Sequence, residues 1–190
     1  MQDLSKFNVP KNFRGRSGWY VQLWWIVRSM MFYTSPQLFY AWRRFILRIF
    51  GAKIGKNVNI RPSAQILYPW KLTIGDYSWI GEDVNLYNLD EIVIGNDVVI
   101  SQKSYLCTGS HDYLSENFRI DISPILIEDK CWLATDVFVA PGVTIGYGSV
   151  IGARSSVFKS IPANKVCFGS PARPLKNRVV KEVSVAERNR

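Results

Sequence analysis

The run Ile94-Gly95-Asn96-Asp97-Val98-Val99-Ile100-Ser101-Gln102-Lys103-Ser104-Tyr105-Leu106 sets an aliphatic residue at every sixth position. Outward from it the register recurs at Ile54, Ile60 and Ile66, then at Ile74, Ile80 and Leu86. Beyond it come Ile127, Leu133, Val139, Ile145, Ile151 and Val157, so that all fifteen positions are Ile, Leu or Val. Four residues after most of them lies a second inward position that is small or β-branched: Val58, Ala64, Ser78, Val84, Val98, Ser104, Cys131, Val137, Val143, Ser149 and Ser155. A period of six suits neither an α-helix nor a two-stranded hairpin. It suits a short strand plus a turn, three to a coil, stacked as a parallel β-helix. The expected fold class is therefore all-β, a parallel β-helix of about five coils over residues 54–163. A helical arm (1–53) precedes it and a short tail (164–190) follows.

The breaks in the period locate a site. Ile66 to Ile74 and Leu86 to Ile94 each carry two extra residues, and Leu106 to Ile127 carries fifteen. All three breaks fall at one corner of the prism in successive coils, about 4.8 Å apart. Insertions in repeat proteins gather where function lies. The long one, 112–126, follows Thr108-Gly109-Ser110-His111-Asp112 and so brings the chain's single histidine to that edge. One imidazole excludes sites built on two or three of them, zinc hydratases among them. Cys107, Cys131 and Cys167 show no metal spacing and no even disulfide set, which fits reduced thiols and a cytoplasmic setting.

The net charge of +9 lies entirely in the arm: residues 1–56 hold ten Lys or Arg against Asp3 alone, and the remainder is neutral. The first 50 residues also contain 13 of the 26 aromatics. Basic and aromatic together fit an anionic membrane or a nucleic acid, and the apolar character of the arm favours the membrane over the nucleic acid. The segment Trp19–Tyr33 reads as a helix of about 22 Å, short of the roughly 30 Å of a bilayer core, and it lacks a signal-peptide cleavage site. A second helix is expected with Ser35 as its cap and Pro36 at its first position. Its stripe would be Leu38, Phe39, Trp42, Phe45, Ile46, Ile49 and Phe50, with Arg43, Arg44 and Arg48 off the stripe. Residues 19–50 then either pack on their own body or a sister subunit, or lie in a membrane interface.

The hexads, Thr108-Gly109-Ser110-His111-Asp112, Cys131-Trp132-Leu133-Ala134-Thr135, Val139-Ala140-Pro141-Gly142-Val143-Thr144-Ile145-Gly146 and Gly169-Ser170-Pro171-Ala172-Arg173 resemble the hexapeptide-repeat acyltransferases. Within them the chain is most similar to exopolysaccharide and colanic-acid acetyltransferases, relatives of the galactoside and maltose O-acetyltransferases. The resemblance implies a left-handed β-helix, a homotrimer, and acetyl-CoA as donor in the cleft between subunits, with no metal. It implies a sugar acceptor, free or lipid-linked, with His111 as general base acting in a ternary complex. Asn88 and Asp112 match acceptor-contact positions. Trp132 matches the tryptophan of the donor channel, Ala134 and Thr135 flank the thioester, and Ala153 brings backbone to the pantetheine arm. Lys159 matches a lysine at the nucleotide end, and Arg173 and Lys176 a basic tail facing its phosphates; Phe158 departs from the common Thr. N-acetylation of amino sugars, antibiotic acetylation and a non-catalytic membrane scaffold remain the alternatives.

Overall fold

The computed structural model describes residues 1–10 and 13–180; residues 181–190 of the expected tail lie outside the described residues. Three parallel sheets form the faces of a prism. The first face stacks Lys53–Ile54, Leu72–Ile74, Ile92–Ile94, Ile125–Ile127 and Thr144–Ile145. The second stacks Asn59–Ile60, Trp79–Ile80, Val99–Ile100, Trp132–Leu133, Val150–Ile151 and Lys165–Gly169. The third stacks Gln65–Ile66, Asn85–Tyr87, Tyr105–Cys107, Phe138–Val139 and Ser156–Val157. All fifteen hexad aliphatics and all eleven second positions are buried. Each buried Ile, Leu or Val contributes about 1.5–3 kcal/mol relative to exposure, which is why the six-residue register dominates the fold. Five coils close fully, and a sixth begins where Ile161 bridges Ile145 and Cys167 pairs with Ile151. Part of the expected tail therefore belongs to the β-helix. It then turns back as the antiparallel strand Ala172–Asn177.

Tight corners require particular residues. Asn57, Asp83, Asp97, Asp136 and Asn164 hold left-handed backbone, a region that Asn and Asp tolerate better than most side chains. At the corner between the first and second faces a side-chain ladder runs up the stack: Asp76 Oδ1 accepts from Lys56 N at 2.7 Å and Asn96 Oδ1 from Asp76 N at 2.7 Å. Gly75 lies beneath that ladder. A Cβ there would stand 2.6 Å from both Asn96 Oδ1 and the Gly95 carbonyl carbon.

The arm closes one end. Neighbouring coils exchange backbone hydrogen bonds in both directions, Gly55 N donating to Ile74 O (2.8 Å) and Tyr77 N to Lys56 O (2.9 Å). The first coil's backbone groups that face away from the second, the carbonyls of Ile54, Val58, Ile60 and Ile66 among them, meet no strand. Helix α1 (Gly18–Val27), capped by Ser17 and continued by a π-turn over Arg28–Phe32, supplies Trp24 Nε1 to Ile66 O at 3.2 Å and Arg28 Nη1 to the same oxygen at 3.4 Å. Helix α2 (Tyr40–Ile49) supplies Arg48 Nη2 to Ile54 O (2.8 Å), Arg44 Nη1 to Val58 O (2.8 Å) and Arg43 Nε to Ile60 O (2.6 Å).

This corrects the expected orientation of α2. Its inward residues are Arg43, Ile46, Leu47 and Phe50, whereas Leu38, Phe39, Phe45 and Ile49 are exposed. The unpaired carbonyls of a sheet edge call for donors, and that requirement outweighs the usual inward turn of the apolar stripe. Ser35 does not cap α2. Its hydroxyl donates to Phe32 O (2.6 Å) and accepts from Arg43 Nη1 (2.8 Å), while Pro36 lies in the turn before the helix.

Candidate functional site

The three breaks in the period build one edge. Past Cys107 the chain leaves the coil as an antiparallel ribbon, Gly109–His111 against Ile120–Ile122, with the loop at its tip. His111 is fixed on two sides. Its Nδ1 lies 2.8 Å from Phe118 O, and its ring stacks on Phe118 at 4.1 Å and 7°. A carbonyl only accepts, so Nδ1 carries a proton, and in the neutral ring Nε2 keeps its lone pair. The N-terminal segment clips this loop: Asp3 N donates to Glu116 O (2.7 Å), Lys6 Nζ reaches Glu116 Oε1 (2.6 Å), and the Phe7 ring lies 6.1 Å from His111.

A cavity of about 520 Å³ opens beside His111. Tyr68, Tyr87 and Tyr105 line it from the coils, and Val9, Phe13, Arg14 and Trp25 from the arm. Burial pushes the Tyr68 and Tyr105 phenols up, with the Arg14 guanidinium drawing Tyr68 partly back, so both remain neutral at ordinary pH. None of these lining residues except His111 stood out in the sequence. Tyr87 and Tyr105 flank hexad aliphatics, Tyr68 lies in a corner insertion, and Arg14 is one basic residue among many.

The two expected acceptor contacts, Asn88 and Asp112, are engaged within the protein. Asn88 is fully buried: Oδ1 accepts from Tyr68 N (2.9 Å), and Nδ2 donates to Tyr68 O (2.6 Å) and Lys71 O (3.2 Å). It brackets a bulged corner, as Thr108 does one coil on through Asp90 N and Tyr87 O. Asp112 braces its own loop, accepting from Leu114 N at 3.0 Å and facing Arg119 Nη2 at 3.7 Å.

The donor-side residues share another edge. Trp132 stands half-exposed on the second face with Nε1 donating to Ser101 Oγ (3.0 Å). Ala134 and Thr135 turn the corner after it, and Ala153 lies directly above, where Arg154 N donates to Thr135 O (2.9 Å). Arg173 and Lys176 are exposed on the terminal antiparallel strand that extends the second face. Lys159 is exposed beyond the third face, away from these residues. The second face lies across the prism from the His111 corner, so one chain does not bring Trp132 and His111 together. Among the described residues no three His, Cys, Asp or Glu side chains form a metal-type group.

No family profile matches the chain. Individual relatives do. The chain is 67% identical over 182 residues to the Escherichia coli K12 protein WcaF, named for acetyl transfer in colanic acid biosynthesis, covering 96% of this chain and 100% of that one. It is 30% identical over 145 residues to the galactoside O-acetyltransferase of the same organism, covering 75% and 69%. The chain belongs to the hexapeptide-repeat acetyltransferases. Among solved members of that family, a galactoside acetyltransferase in complex with coenzyme A superposes with a TM-score of 0.78 at 25% identity, covering 90% of this chain and 84% of that one. A Vibrio cholerae hexapeptide-repeat acetyltransferase complexed with acetyl coenzyme A superposes at 0.77, also at 25% identity, covering 87% and 92%. As a hexapeptide-repeat acetyltransferase the chain is an acyl-CoA-dependent O-acetyltransferase, with acetyl-CoA as donor.

Proposed function

We propose that this enzyme acetylates a hydroxyl of a sugar destined for a surface polysaccharide, with His111 as the general base. The supporting observation is the His111–Phe118 arrangement, which leaves Nε2 as a proton acceptor at the mouth of the cavity. In the reading, Nε2 takes the hydroxyl proton as the sugar oxygen attacks the thioester carbonyl carbon. The C–S bond then breaks, and the proton passes from His111 to the departing CoA sulfur. The Phe118 carbonyl accepts from Nδ1–H throughout and favours the transient imidazolium. General-base catalysis contributes about 10²–10⁴-fold. Asp112 acts here by holding the loop, and Asn88 by holding the corner beneath it.

The proposal includes a homotrimer. Trp132, Ala134, Thr135 and Ala153 lie across the prism from His111, so a neighbouring copy would present its second face to the His111 edge. Acetyl-CoA would lie in that cleft, with Arg173 and Lys176 toward its phosphates; Lys159 would act only from another side. The test is thiol release from acetyl-CoA with sugar acceptors. His111→Asn that retains near-normal turnover, at wild-type affinity for CoA, would overturn the reading.

Residues 19–50 are proposed to hold the enzyme against the cytoplasmic face of an anionic membrane, near a lipid-linked acceptor. Trp19 is 88% exposed, and Leu23, Ile26 and Met30 continue its line along the arm's first helix. Leu38, Phe39, Phe45 and Ile49 expose a second apolar stripe. No acidic residue occurs between Leu4 and Gly75, which suits anionic headgroups. No helix among the described residues is long and apolar enough to cross a bilayer. Co-sedimentation with anionic vesicles decides this, using Trp19→Gln with Phe45→Gln, because charge reversal at Arg43, Arg44 and Arg48 would break the coil cap.

A further inference from the structure

Among the described residues, Lys6 and Lys71 near the His111 cavity are already engaged. Lys6 pairs with Glu116 at 2.6 Å. Lys71 Nζ donates to Phe13 O at 3.0 Å and to Leu89 O. Arg14 is the exception. Its backbone is pinned, since Trp70 Nε1 donates to Arg14 O at 2.7 Å and the preceding carbonyl holds Lys71. Its exposed side chain lines the cavity within hydrogen-bonding reach of the Tyr68 phenol and forms no ion pair among the described residues. No carboxylate lines the cavity to answer it.

We propose that this wall is an anion subsite: Arg14 pairs with a carboxylate or phosphate carried by the acceptor glycan, while Phe13, Tyr87 and Tyr105 hold its rings. The inference rests on the reading of the cavity as the acceptor site and adds the chemical class of the acceptor. The planar guanidinium fork matches either oxyanion bidentately. Aromatic walls supply large contact area against the apolar faces of sugar rings, and the volume lies within the usual 300–1,000 Å³ of a small-ligand site. The charge also gives specificity. A charged glycan gains the pairing with the exposed guanidinium and a neutral one does not, so the site prefers the anion.

The test is calorimetric binding to the full-length protein with CoA present, which requires no turnover. One pair of probes is p-nitrophenyl β-D-glucuronide against p-nitrophenyl β-D-glucoside, for a carboxylate. The other is α-D-glucose 1-phosphate against methyl α-D-glucoside, for a phosphate. In at least one pair the charged member should bind about tenfold tighter, and Arg14→Gln should bring that pair to within about twofold. Arg14→Lys should keep part of the preference, and the preferred pair names the anion. Equal binding within both pairs, no binding of either charged probe, or a preference that survives Arg14→Gln overturns the subsite. Loss of the His111 mechanism would instead be read in turnover and leave this preference intact.

Discussion

Replacing Arg43 by Met tests the account of the arm most directly. Arg43 is fully buried on α2, and four hydrogen bonds satisfy its guanidinium: Nε to Ile60 O (2.6 Å), Nη1 to Ser35 Oγ (2.8 Å) and Pro36 O (2.9 Å), and Nη2 to Gln37 O (2.6 Å). Methionine keeps much of the stem's packing and removes every donor. The Pro36 and Gln37 carbonyls lie nearer the surface and can turn to water, whereas Ile60 O and Ser35 Oγ are left buried. Each orphaned buried acceptor costs about 1–3 kcal/mol, and relief from burying a cation without a carboxylate offsets part of the sum. The net expectation is about 3 kcal/mol. At this chain length that lowers the melting temperature by roughly 6–12 °C. Arg44→Met removes one hydrogen bond from a half-buried side chain and should cost only about 1 kcal/mol. Thermal melts followed by circular dichroism, at matched protomer concentration, measure both. An Arg43→Met protein melting within about 2 °C of wild type would refute the carbonyl-capping argument.

His111→Ala should lower acetyl transfer roughly a hundredfold or more with the melting temperature unchanged, measured as CoA thiol release. Light scattering should return a trimer, and a stable acetyl-CoA-binding monomer would remove the inter-subunit donor site. Gly75→Ala forces a Cβ against backbone and the Asn96 amide and should destabilise by about 1–3 kcal/mol in urea titration. Burial pushes the Cys131 thiol up to about 11, so in the native protein it should resist an aromatic disulfide reagent at pH 8. Because the folded thiol keeps its proton where the unfolded one has lost it, its stabilising contribution should decline as pH rises from about 9 to about 11.

The coil body was legible because its rule is local: every sixth residue must be aliphatic, and Ile54 through Val157 obey it whatever the rest of the chain does. The corner carrying the insertions followed from counting, and so did the place of His111. The arm was less legible, because the stripe rule for helices assumes an apolar neighbour. Here the neighbour of α2 is a row of backbone carbonyls, and Arg43 faces it. Asn88 was hard to read for a related reason: an amide at a bulged corner serves a ligand or the backbone with the same atoms, and only the structure shows its bonds to Tyr68. The cavity wall was invisible because Phe13 and Arg14 reach it from far along the chain, held by Trp70 and Lys71.

A parallel stack of coils has two open edges, and each carries backbone donors and acceptors that a neighbouring coil would otherwise meet. Two such ends fit each other, so bare stacks would join head to tail into a filament, adding copies without closing a ring. The arginines of the arm occupy carbonyls of the first open edge, and the hairpin from Lys165 to Asn177 turns the second face back at the other. The positive charge concentrated in the first 56 residues thus has a role independent of any ligand or membrane. It terminates a polymer at a length of one molecule.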